Sequence, residues 1–373
     1  MNMPCFLQIH TLSPYTAALL NRDDSGLAKR LPYGGSIRTR VSSQCLKRHW
    51  RIAEDPHALS RIDGTEASYR SRELVTLLVM APLRERFPED VMTALEPEIQ
   101  MAVYGDKGTT KKSRQTLLLG APEIAWLAKV VERLAEEAEG DAKAAAKIAQ
   151  EWRKTFRANI KVAREAATLP AGLTGALFGR MVTSDPEANI TAPVHVAHAF
   201  TVHAEEAESD YFTAVDDLSG DEPGADTIQE TELTSGLFYG YVVVDLRGLI
   251  ANLGGDWQLA GEVMHNLIYL IAEVSPGAKL GSTAPYGRAS FMLLEAGDRQ
   301  PRSLAEAYRT PCSPHIGPAV SVVSEHLAAL DQAYATGEER RVMSLANIEV
   351  SGAVPGSLAD LAGWAQSLPK SLS

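Results

Sequence analysis

The 373-residue chain carries 47 Asp and Glu against 36 Lys and Arg, a formal charge of −11 that excludes a uniformly basic nucleic-acid coat. Hydrophobic residues at 45% and charged residues at 22% sit at the globular norm, which argues against wholesale disorder and allows roughly two or three compact units. No apolar run approaches the roughly 18 residues of a bilayer crossing, since Leu74 to Leu83, the best of them, contains Thr76 and Pro82.

The first residues, Met1-Asn-Met-Pro-Cys-Phe-Leu, lack the basic and then apolar pattern of an export signal. Cys5, Cys45 and Cys312 are odd in number and far apart, as free thiols in a reducing cytosol would be. In chain order, the alternation in 5–12 predicts a strand with Leu7 and Ile9 on one face. The Gly/Pro stretch Leu31 to Ser36 leads to Ile37–Val41, and Ser42-Ser43 offer capping hydroxyls for a helix over 44–54. Residues 71–168 read as mainly helical (73–80, 123–139, 141–167), with a polar loop at 105–114.

Strand character returns at 194–202. The tract from Glu205 to Glu232 is rich in Asp and Glu, has no Lys or Arg, and carries Gly220, Pro223 and Gly224, so it reads as a solvated protruding loop. Leu237–Leu246 is the clearest strand, 258–273 an amphipathic helix and 289–294 a further strand. Strand, helix, strand, strand, helix, strand is the order of a ferredoxin-like α+β sheet, here with one insert after the first helix and another between the middle strands.

The best functional signal is charge distribution. Lys29, Arg30, Arg38, Arg40, Lys47, Arg48 and Arg51 fall in one segment without an Asp or Glu. Lys47 and Arg51 share a helix face, and Ser42, Ser43 and Gln44 sit at the positive helix N-terminus, a geometry that suits a phosphate. The alternatives are a solvated basic face, or Arg partners for the acidic tract. His195, His198 and His203 cannot chelate together on a strand, because 195 and 198 face opposite ways and 195 and 203 are about 26 Å apart. No CxxC, HExxH or phosphate-cradling GK[ST] occurs, so no cofactor or metal is expected. Asp23 with Asp24, and Asp216 with Asp217, could hold a divalent ion, but adjacent acids in loops are ordinarily solvated turn residues. Phe238-Tyr-Gly-Tyr241 lacks the Lys/Arg-Gly start of an RNA-recognition aromatic motif. Met181, between Arg180 and Val182, reads by itself as a core residue.

The run Leu20-Asn-Arg-Asp-Asp-Ser25, then Gly34-Gly35, then Arg38-Thr-Arg-Val-Ser-Ser-Gln-Cys-Leu-Lys-Arg48 resembles the N-terminal signature of the CasC family. CasC is the backbone subunit of type I-E CRISPR surveillance complexes (Cascade). The likeness continues in Ala176–Met181, Val196–Phe200, Asp210–Asp217, Ser235–Tyr239 and Pro276–Lys279, in order over about three quarters of the chain.

The resemblance implies a hand-shaped α+β protein. A palm with a modified ferredoxin-like, RNA-recognition-type sheet would comprise 1–60, 191–201 and 237–373, a helical fingers insert 61–190, and a thumb hairpin 202–236. It further implies a cytoplasmic, non-catalytic protein that stacks with neighbouring copies of itself along a CRISPR guide RNA (crRNA), works with other Cascade subunits, and presents the guide to target DNA. Family phosphate contacts match Lys29, Ser42, Gln44, Lys47, Arg48 and Arg51; Arg38 and Arg40 join them from the basic segment, and a base-wedging methionine matches Met181. The alternative is a metal-dependent endoribonuclease using Asp23 or Asp24, as backbone subunits of related type III complexes use a loop aspartate.

Overall fold

The apolar alternation of the first strand extends beyond its expected end. Phe6–Ala18 pairs antiparallel on one side with Phe291–Gly297 and on the other with Ala225–Asp245, running through a bulge between Tyr15 and Ala18. These strands form the middle of a ten-stranded sheet in a computed structural model that describes residues 4–106, 108–165, 167, 169, 171–182, 185–215, 225–278 and 280–372. The chain is a mixed α+β protein, and it divides into two compact units.

The first unit comprises Met1–Arg61, Val194–Leu246 and Gln258–Ser373. From one edge, its sheet runs Ala353–Pro355, Glu339–Ser344, Phe291–Gly297, Phe6–Ala18, Ala225–Asp245, Ala199–Thr201, Ser36–Val41 and Arg30–Tyr33. The short strand Val194–Val196 and the strand Ala207–Val215 also pair with Ala225–Asp245. The helices Ser43–Arg51 and Trp257–Glu273 follow strands of this sheet; inward Leu46 and Trp50 of the former line a small apolar cavity with Ile9, Val41 and Phe238.

The stretch at Leu31–Ser36 is more than a lead-in. Arg30–Tyr33 and Ser36–Val41 make a hairpin whose turn is Gly34-Gly35, with φ of 60° and 78°. A two-residue turn with both φ positive is a type I′ feature that glycine adopts without strain. A Cβ on Gly34 would stand 1.5 Å from the Arg309 carbonyl oxygen, so the turn is also fixed by close approach. The acidic tract differs from its expected loop as well: it is strand up to Val215 and again from Ala225. Asp216, Asp217, Gly220, Pro223 and Gly224 lie outside the described residues, as do Lys107 and Lys279. The expected strand over 194–202 is two short strands instead, and the C-terminal third adds the helices Ile316–Tyr334 and Leu358–Ser367.

The sheet face carrying Leu12, Tyr239, Phe291 and Leu293 is covered by a cluster that includes Leu304, Tyr308, Val320, Val323 and Leu327. Beside it lies a buried polar network. Glu295, with no exposed surface, accepts from Arg302 (2.5 and 2.8 Å), from Arg340 Nε (2.8 Å) and from His10 Nε2 (3.0 Å). Arg340 also forks onto Asp331 (2.5 and 2.6 Å), and Tyr239 OH donates to His10 Nδ1 (2.9 Å). Burial alone would push the Glu295 carboxyl up, but the hydrogen bonds from Arg302 and His10 outweigh it and hold the group well below the usual carboxylate range. Burial holds the His10 imidazole below its ordinary value, hence neutral.

The second unit, Ile62–Pro193 with Arg247–Trp257, is chiefly helical. Helix Ala142–Glu165 buries Ala145, Ala149, Trp152, Phe156 and Ile160, a three-and-four spacing that makes one apolar stripe against Glu89–Tyr104 and Ala121–Glu137. The sequence gives no warning of the small antiparallel pair Ser68–Ser71 and Leu117–Gly120.

Both Glu295 and His10 bind fewer protons folded than unfolded, so both make stability fall as pH falls. For His10 the loss begins below its unfolded pKa of about 6.5, and for Glu295 below its unfolded value of about 4.3. Thermal melts should be flat from pH 7 to 8 and decline in two stages below. Glu295→Gln should remove the more acid stage and cost about 3–5 kcal/mol at pH 7, because the one buried carboxylate that accepts from Arg302, Arg340 Nε and His10 together loses its charge.

Candidate nucleic-acid interface

Ser42 has extended backbone angles and its Oγ accepts from the Cys45 N–H at 3.3 Å, so it is the N-cap of helix Ser43–Arg51. The loop before the hairpin locks this start from behind, because Asn21 Oδ1 accepts from the Ser42 N–H at 2.9 Å. No acid stands in the first turn, so the positive end of the helix is not offset there. With Leu46 and Trp50 turned inward, Gln44, Lys47, Arg48 and Arg51 fall at i, i+3, i+4 and i+7 and share the opposite face, where Gln44 and Arg48 are exposed.

Lys29 and Arg40 join that surface from the hairpin side, held together by the Arg40 N–H donating to the Lys29 carbonyl (2.8 Å). Arg40 Nε donates to the Arg30 carbonyl (3.1 Å) and its Nη1 to His198 Nδ1 (3.2 Å). Burial, then the charges of Arg40, Lys29 and Lys47, hold the His198 imidazole below its ordinary value. Burial pushes the Cys45 thiol up against the opposing charges of Arg48 and Lys29. Lys29, Arg40, Lys47, Arg48 and His198 thus form one cationic group in the first unit. The arrangement offers several donors to an anion.

The basic segment is not all interface. Arg38 is completely buried and donates to the carbonyls of Thr201 (2.9 Å), Tyr308 (2.9 Å) and Arg309 (3.2 Å). Its guanidinium ties the hairpin strand to the end of strand Ala199–Thr201 and to the segment at Tyr308–Arg309, inside the fold rather than on the surface expected of an RNA contact. Arg30 is likewise committed, to Glu205 (2.6 Å) and to Glu232, at the root of the acidic tract. Pairing of Arg with that tract, an alternative to phosphate binding on charge grounds, therefore holds for Arg30 alone among the contacts described. Ser42 and Ser43 are nearly buried, so their role at the surface is through the helix end.

Asp23 spends Oδ1 on the backbone N–H groups of Ser25 (2.8 Å) and Leu27 (3.0 Å), an Asx-type turn. Among the described residues no three His, Cys, Asp or Glu converge as a metal cluster. His203 is a backbone staple: it donates from Nδ1 to the Ala204 carbonyl (2.7 Å) and accepts at Nε2 from the Leu237 N–H (3.1 Å).

Met181 lies in the second unit, 74% exposed between buried Arg180 and Val182, against its reading as core. Its flanks are pinned. The Arg180 backbone makes both hydrogen bonds of a bridge to Ile190, and the Val182 N–H donates to Asn189 Oδ1 (2.7 Å). Below, Arg180 Nη1 and Arg164 Nε each donate to buried Glu123 at 2.6 Å, and Glu123 also accepts from the Gly120 N–H at 3.2 Å. The thioether is thus presented outward from a rigid seat. His198 and Glu123 are absent from the sequence-derived set, because only strand register brings His198 to Arg40 and only the fold brings Glu123 to Arg180.

The chain belongs to the CT1975-like protein family, whose match spans residues 7–365. No curated protein sequence matches it significantly. Its fold is similar to that of a chain from a "CRISPR RNA-guided surveillance complex, pre-nicking", with a TM-score of 0.78 and 23% identity over 97% of this chain and 100% of that one. It is also similar to a chain from a "CRISPR RNA-guided surveillance complex", with a TM-score of 0.71 and 21% identity over 97% and 99% of the two chains.

Met181→Ala should change folding stability by less than about 0.5 kcal/mol, as for an exposed side chain. Leu177→Ala, a few residues away and fully buried, should cost about 2–5 kcal/mol. Chemical denaturation of the two variants checks the contrast.

Proposed function

We propose that this chain is a guide-RNA-binding backbone subunit of a CRISPR Cascade complex, of type I-E, that oligomerises along the crRNA and presents it for pairing with target DNA in antiviral defence. Pairing then supplies sequence specificity, and the protein supplies shape and charge. The observation that carries the reading is the cationic group around the Ser42-capped helix: Lys29, Arg40, Lys47, Arg48 and Arg51 with Gln44, in a chain whose net charge is negative. Such a group suits a phosphodiester backbone. The aromatic residues that would read bases on an open sheet are spent inside, since Tyr239 is 2% exposed and bonded to His10.

In this reading, 1–60, 191–201 and 237–373 form a ferredoxin-like palm. Supporting it, Phe291–Gly297, Phe6–Ala18, Ala225–Asp245 and Ala199–Thr201 lie side by side, which is the 4-1-3-2 order of that fold once the inserts are set aside. Residues 61–190 are the fingers, with Met181 wedged beside guide bases through a thioether that adapts to any base face. Residues 202–236 are the thumb, meeting the next copy of the chain. The protein works in the cytoplasm with other Cascade subunits and without catalysis of its own. Among the described residues no helix is long and apolar enough to cross a membrane. Against the endoribonuclease alternative stands the Asp23 carboxylate, already engaged in its own turn.

Single-stranded RNA binding measured across salt tests the reading. Four phosphate contacts from Lys29, Lys47, Arg48 and Arg51 predict log K falling by roughly 3 per tenfold rise in salt for each bound subunit, at a slope of about −0.7 per contact. Lys47→Glu with Arg51→Glu should abolish copurification of guide RNA while the variant still unfolds in a single cooperative transition. Salt-independent affinity, or full-length guide retained by the double variant, contradicts it. Guide-paired RNA cleaved in a Mg²⁺- and Asp23-dependent manner would favour the endoribonuclease.

A further inference from the structure

Every member of the cationic group except one carries a fixed charge at neutral pH. The exception is His198, an exposed imidazole on the segment between the strands Val194–Val196 and Ala199–Thr201. We propose that His198 is a proton-linked phosphate ligand: a phosphodiester bound by Lys29, Arg40 and Lys47 draws a proton onto His198 Nδ1 and is held by it. The proposal rests on the guide-binding reading and adds a residue and a pH dependence to it.

The geometry fixes the resting state. Arg40 Nη1 stands 3.2 Å from His198 Nδ1, and a guanidinium only donates. Nδ1 therefore supplies a lone pair, and the proton of the neutral ring is on Nε2. The charged groups acting on the ring come from three elements: Arg40 on the hairpin strand, Lys29 on the preceding loop and Lys47 on the capped helix. No carboxylate is among them, so a second ring proton has nothing to offset it in the unbound protein.

A phosphate oxygen entering between Arg40 and the ring changes both conditions. It accepts from Arg40 Nη1, which no longer needs the imidazole lone pair, and it accepts from a protonated Nδ1 as well. Up to one proton passes from hydronium or a buffer acid to the Nδ1 lone pair for each site filled, forming an N–H bond there as the donor's bond to hydrogen breaks, and no bond between heavy atoms changes. Because the bound ring holds its proton more tightly than the free ring, binding must strengthen as pH falls between the two pKa values, by up to about tenfold for each unit separating them. The nearby histidines do not compete for this role. His203 spends both ring nitrogens on backbone groups, and His49 contacts the Cys45 carbonyl at 2.8 Å through Nδ1 and Gly277 through Nε2.

The test is binding of an unstructured oligouridylate to the full-length protein from pH 5.5 to 8.5 at constant ionic strength. Calorimetry in buffers of different ionisation heat counts protons taken up. Wild type should bind several-fold more tightly at pH 6 than at pH 8 and take up a measurable fraction of a proton per site. His198→Gln should lose both the slope and the uptake. Arg40→Gln, which removes one of the charges holding the free ring neutral, should reduce the uptake while His198 remains in place. If His198→Gln keeps the wild-type pH slope, or wild-type binding is tight but independent of pH, the His198 proposal is overturned and the guide-binding reading stands. If wild type binds no RNA at any pH, both are overturned.

Discussion

Glu295 is a carboxylate with no route to water, and the partners that make its charge tolerable come from three separate places in the chain. Arg302 follows its own strand, Arg340 sits on the next strand, and His10 reaches it from the first strand. Removing a charge from water costs several kcal/mol, so the carboxylate is stable there only when those groups are docked. Through Arg340 and Asp331 the same network reaches helix Ile316–Tyr334, whose Val320, Val323 and Leu327 lie against Tyr239 and Leu293. The sheet face that an open RNA-recognition fold would leave for bases is thereby closed. At the rim of the sheet, the hairpin, the Asn21 loop and the Ser42 cap converge.

That rim was the most legible part of the chain. Ser42-Ser43 ahead of a charged and apolar alternation marks a helix start by local chemistry alone, and the observed helix begins at Ser43 with Ser42 as its cap. The α+β character and the principal strands were equally visible, because β-branched and apolar runs report burial directly. Arg38 shows the limit. Its neighbours in sequence are the same as those of an exposed arginine, and only the distant carbonyls at Thr201, Tyr308 and Arg309 decide that it is buried.

The acidic tract and the C-terminal third show the same limit at larger scale. The tract looked like a loop because its composition is polar, yet Ala207–Val215 pairs antiparallel with Ala225–Thr234, and Arg30 neutralises two carboxylates at its root. Glu339–Ser344 and Ala353–Pro355 find their places only through strands already formed. Met181 failed in the opposite direction: methionine beside Leu177 and Val182 suggests packing, whereas the backbone bridge to Ile190 turns it outward.

Ala225–Asp245 runs as one 21-residue strand from its ladder with Ala207–Val215 into the centre of the sheet. Near its end it is paired with Phe6–Ala18, and further back with Ala207–Val215. Along that length no loop separates the ladder with Ala207–Val215 from the core on this strand. It can twist and flex only as a ribbon does. The backbone entropy of this ribbon is therefore surrendered when the chain folds, before any contact outside the chain is made.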